Sequence, residues 1–134
     1  MATLESFRSA MPRWRESVDA WLDQQPSWFR NDPAWASSVY VLAGPALARL
    51  GVPSLIDLER QRIDWATILA RTAHASRAER ALAEAAYHLA CDDPGPALGL
   101  MLVFPYDESF AWAHAGGVLY EIIAQRRVAH PLVG

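Results

Sequence analysis

An all-α fold, an irregular orthogonal bundle of about six short helices, is what this sequence predicts. Apolar residues recur at steps of three and four, capping residues stand where those runs begin, and no pair of runs alternates convincingly enough to form a sheet. Nine prolines cut the runs short, which favours an irregular bundle over a long up-and-down one. At 134 residues the chain reads as a single helical domain, 1–134, because domains cluster near about 100–150 residues.

The first seam runs through Leu4, Phe7, Met11, Trp14, Val18 and Trp21, and Pro12 interrupts it. Proline fits only the first helical turn, so the spacing predicts a helix from about Ser9 or Pro12 to Gln24, with Leu4 to Phe7 as a separate turn. Asp32-Pro33 marks the next start, an aspartate cap followed by a proline that loses no hydrogen bond, with Trp35, Val39 and Leu42 on one face. Gly44-Pro45 stops or kinks this helix, Ala46 to Leu50 makes a short turn, and Ser54 with Asp57 opens a short helix ending near Arg62.

Asp64 caps a further helix to about His74, with Ile63 placed to pack on Ile68. Ser76 and Glu79 form a capping box, Leu82, Ala86 and Leu89 follow on one face, and Asp92-Asp93-Pro94-Gly95-Pro96 ends that helix. Residues 98–104 alternate as a strand would, yet are equally a buried helical segment, and helix is the expectation for want of a partner strand. Asp107 caps the last helix, to about Arg127, with Trp112, Leu119 and Ile123 inward and Gly116-Gly117 marking a close contact or a break.

A chain 52% hydrophobic and 20% charged can bury enough apolar surface to fold. No segment approaches 18 uninterrupted apolar residues and no early stretch has a signal-peptide pattern, so a cytoplasmic chain is expected. The net charge of -3 gives no basic excess for phosphates. All 12 basic residues are arginine, which leaves no lysine for a Schiff base or a phosphate loop. Dinucleotide, phosphate-loop, nucleophile-elbow and paired-cysteine signatures are missing, and no cofactor is expected.

Glu84, His88 and Cys91 lie four and three residues apart on one helix face, which makes His88, Cys91 and His114 candidates for a small enzyme or metal site, with Glu121 as a further ligand. The bland reading is a buried, inert Cys91 beside a partly exposed His88. Asp92-Asp93 and Asp107-Glu108 stand at helix boundaries and are read as caps. Ala46-Leu47-Ala48-Arg49-Leu50-Gly51-Val52, followed by Arg60 and Arg62, resembles the turn of helix-turn-helix proteins over residues 46–62, and that resemblance implies a DNA-binding regulator. It departs from the pattern at Pro45 and Pro53, and Asp57 and Glu59 would face phosphates.

Trp14, Trp21, Trp28 and Trp35 recur every seven residues, three of them as Pro-x-Trp. Trp14 and Trp21 share a helix face and are expected in the core. Trp28, Phe29 and Arg30 lie between Pro26 and Pro33, where no helix pattern claims them, and are the expected contact for another protein. The function expected is a non-catalytic protein-interaction or regulatory module.

Overall fold

The computed structural model describes residues 20–129 and is 71% helical, a mostly all-α fold with one small two-stranded sheet. Trp14 and the seam before it lie outside the described residues. Residues 20–23 are helical (α1), followed by the single turn α2 (Ser27–Arg30) and then α3 (Pro33–Leu42) and the short α4 (Pro45–Ala48). A 3-10 turn (Val52–Leu55) leads into β1 (Ile56–Asp57) and β2 (Arg62–Ile63), and α5 (Trp65–Thr72), α6 (Arg77–Ala90), α7 (Gly95–Val103) and α8 (Glu108–Ala129) complete the fold.

The caps act where the sequence places them. Asp32 accepts from Trp35 N–H at 3.1 Å, and Asp64 accepts from Thr67 N–H at 3.1 Å and from its hydroxyl at 2.7 Å. Ser76 and Glu79 close their reciprocal box, and Asp107 accepts from Ser109 N–H at 2.8 Å. Each cap satisfies backbone donors that the first helical turn leaves open.

Helix α3 is the hub, packed between α6 and α8, and every residue from Ala36 to Leu42 is buried. Its sequence pattern suggests one inward face, but two flanking helices cover it nearly all round. Ser37 and Ser38 are buried with it because each hydroxyl donates to a carbonyl one turn back. Helix α8 comes close at Gly116, where a Cβ would collide with Val41 Cγ2. A Cβ on Gly117 would lie 2.9 Å from the Leu98 side chain on α7. The glycine pair marks two close contacts, and the helix runs through it unbroken.

The short helix expected from Ser54 to Arg62 is replaced by the hairpin. Ser54 donates its hydroxyl to Gly51 O at 2.7 Å, and Asp57 accepts from Arg60 N–H at 3.0 Å. Asp57 thus caps a tight turn, in which Gln61 takes a φ of 53°, and β1 pairs with β2 in antiparallel register, Ile56 opposite Ile63. The recognition helix that a helix-turn-helix reading of 46–62 requires is not formed.

The end of α6 is tied to α8. Asp92 takes a left-handed φ of 62°, Asp93 N–H reaches back to His88 O at 2.9 Å, and Tyr120 donates its hydroxyl to Asp92 Oδ1 at 2.9 Å. Burial, reinforced by that carboxylate, pushes the Tyr120 phenol up to about 12 from 10.0. Between those values the folded chain holds a proton that the unfolded chain has lost. This contribution to stability is therefore complete below pH 10.0 and lost as pH rises through about 12. Alkaline difference spectroscopy is expected to lose the amplitude of a phenol titrating near pH 12 in Tyr120→Phe; a variant with the amplitude of wild type there would reject the assignment.

Candidate functional site

The sequence places a run without charge from Pro94 to Tyr106, and the structure winds its first two-thirds into α7. An apolar helix of this kind ordinarily sits inside a protein. Here only Ala97 is fully buried, while Leu102, Val103 and the following Tyr106 are 87%, 65% and 99% exposed. The helical expectation for residues 98–104 holds through Val103, but their burial does not, because α7 packs mainly on α8, with a smaller contact to α6, and leaves its outer side bare. Phe104 anchors the end of the run, stacked on Phe110 at 4.1 Å, with the Arg77 guanidinium 5.3 Å from its ring centroid.

Beside α7 lies a groove of about 1230 Å³, open to solvent. Ala111, Ala115, Val118 and Ile122 of α8 form its floor at steps of three and four. Leu98 and Met101 line it from α7, and Pro45, Ala46 and Arg49 from α4. Trp112 closes the α4 side, its indole stacked on Tyr40 at 5.0 Å and donating to Tyr40 O at 2.8 Å. Gly44 is required there, since a Cβ would stand 2.8 Å from the Trp112 ring.

Two glutamates and an arginine join this apolar lining. Glu108 stands at one end of the α8 stripe and Glu121 towards the other, while Arg49 is on the α4 wall. Neither carboxylate has a hydrogen-bond or ion-pair partner among the described residues. His114 also lines the groove, with Nδ1 3.0 Å from Leu98 O. In the neutral ring that contact assigns the proton to Nδ1 and leaves Nε2 as an acceptor.

Glu84 shares a cleft with His88, and Glu121 shares the groove with His114, but His88, Cys91 and His114 are not brought together. His88 lines a separate cleft between α5 and α6 and faces Asp93 at 3.7 Å, whereas His114 is on α8 against α7. Cys91 is exposed at the C-cap of α6, not buried, because the helix ends there and the chain turns away. Among the described residues no three His, Cys, Asp or Glu side chains are grouped to hold a metal. No helix among them is long and apolar enough to cross a membrane. Asp107 caps the start of α8, while Asp93 accepts from Gly95 N–H at 3.3 Å ahead of α7, whose N-cap residue is Pro94, and Asp92 is taken by Tyr120.

The residues expected to meet a partner are placed differently from one another. Pro26 starts a helical turn, so Trp28, Phe29 and Arg30 point in different directions, about 100° apart per residue. Phe29 is completely buried and offers no accessible atom, a correction to its expected exposure. Trp28 and Arg30 are half-buried, with Trp28 edge-on to Phe29 and Trp35. Trp21 is half-buried as well, edge-on to Phe29 and Tyr40 and packed against the core.

No family model, curated protein or solved structure matches this chain. Its functional reading therefore rests on the geometry of α7 and the groove. Those features are what sequence reasoning missed, and the uncharged run from Pro94 to Tyr106 was the available signal.

Proposed function

We propose that this chain is a non-catalytic protein-interaction module whose partner surface is the outer side of α7 and the groove beside it. The observation that carries the reading is the exposure of Leu102, Val103 and Tyr106 on one uncharged segment. Contiguous apolar surface of this kind marks interaction sites, and covering one such side chain contributes roughly 1.5–3 kcal/mol. The reading also places the module in the cytoplasm, where an exposed lone thiol such as Cys91 stays reduced.

Leu102→Glu with Tyr106→Ser changes only exposed side chains and is expected to alter stability by less than about 0.5 kcal/mol. The same pair is expected to weaken a partner captured from native lysate, then purified, by more than about tenfold, since these side chains form the centre of the contact. Equal affinity of wild type and variant would reject this surface.

A second contact, at Trp28 and Arg30, is favoured by a different observation. Trp28 and Arg30 are half-buried, so part of each side chain stays open to a partner, unlike Phe29 between them. A partner carboxylate would pair with the Arg30 guanidinium, and Arg30→Ala that leaves the purified complex unchanged would remove this contact from the proposal.

A further inference from the structure

The shape of the groove limits what fits it. Its floor follows α8 from Glu108 to Gln125, a span of about 26 Å at the helical rise of 1.5 Å per residue. A cleft of about 1230 Å³ exceeds the roughly 300–1,000 Å³ of small-molecule pockets. Small residues, Ala111 and Ala115 on the floor and Ala46 on one wall, let another backbone approach closely. An elongated occupant of about four to five helical turns matches these dimensions.

Charge then selects among elongated occupants. Glu108 and Glu121 line the groove about 20 Å apart, and among the described residues neither has an ion-pair partner. A second copy seated through the same groove would bring its own Glu108 and Glu121 to a contact that already holds two carboxylates. An anionic lipid surface would meet the same two carboxylates and be repelled.

Resting on the interaction reading above, we infer that the groove takes an amphipathic helix of a partner protein, with basic residues near both ends of its apolar stripe, about 20 Å apart. Arg49 lines the α4 wall, so the helix carries no basic residue directly opposite Arg49. His114 stands on the opposite edge, beside α7.

The test uses the full chain and two fluorescein-labelled synthetic peptides of about 18 residues, with one leucine-alanine stripe and either arginine or glutamate near both ends. Fluorescence anisotropy is expected to show the arginine peptide binding at least about tenfold tighter, with the advantage shrinking as salt is raised. Ala111→Trp fills the groove from an exposed position and is expected to abolish that binding while the circular dichroism spectrum is unchanged. Glu108→Arg with Glu121→Arg is expected to reverse the preference between the peptides.

Equal binding of both peptides, or binding of neither, overturns the inference. So does arginine-peptide binding that survives Ala111→Trp. Dimerisation in sedimentation, or binding to phosphatidylcholine vesicles, that Ala111→Trp abolishes would give the groove to a second copy or to lipid and overturn it too. The broader interaction reading fails separately, when Leu102→Glu with Tyr106→Ser leaves the affinity for the captured partner unchanged.

Discussion

Phe29→Ala is expected to lower the unfolding free energy by about 3–5 kcal/mol, a large share of the roughly 5–15 kcal/mol that holds a domain of this size. Phe29 is 0% exposed and is the buried residue of α2, a helix of one turn. A single turn has no stability of its own, because its nucleus fixes several dihedrals for one hydrogen bond. Its position is held by the ring, which meets Trp21 at 5.9 Å and Trp28 at 6.0 Å, both edge-on. Truncation removes the burial of one large aromatic and leaves a cavity between two indoles. Urea unfolding followed by far-ultraviolet circular dichroism measures the loss; a change below about 1 kcal/mol would mean that α2 closes over the gap.

The same residue shows where sequence reasoning ends. Asp32, Asp64, the Ser76-Glu79 pair and Asp107 were all legible, because a cap is decided by the hydroxyl or carboxylate and the three or four residues after it. Phe29 was not, since Pro26 permits either a loop or a helical start and only the tertiary position of Trp21 selects the helix. Asp57 misled for a related reason: the carboxylate that caps a helix also closes a hairpin turn, and local sequence does not separate the two.

The site was less legible than the fold. An apolar run reports that a segment seeks cover but not which of its sides finds it, so residues 98–104 read as buried while α8 and α6 leave the outer side bare. The groove needs Arg49, Met101, Glu108 and Glu121 together, contributed by three helices whose packing is fixed by contacts such as Trp112 on Gly44. Likewise, His88 and His114 are 26 positions apart, and nothing in their spacing tells that one faces α5 and the other α7.

Gly116→Leu is expected to cost about 3 kcal/mol, at the upper end for overpacking a core, even though leucine favours a helix over glycine by nearly 1 kcal/mol. The reason is the α3–α8 contact: the first atom of any side chain there collides with Val41 Cγ2 and lies 3.4 Å from Ser37 O. Val41 is 1% exposed and has no room to swing away, and Ser37 O belongs to the backbone of the most enclosed helix. The two helices must therefore separate, which also loosens Trp112 from Tyr40 one turn away. Gly99→Ala is the control, because a Cβ there meets nothing within 4 Å and the substitution is expected to gain roughly 0.5–1 kcal/mol. Thermal melts of the two variants should move in opposite directions from wild type. A Gly116→Leu protein that melts with wild type would show that α3 and α8 do not meet as closely as Val41 and Gly116 require.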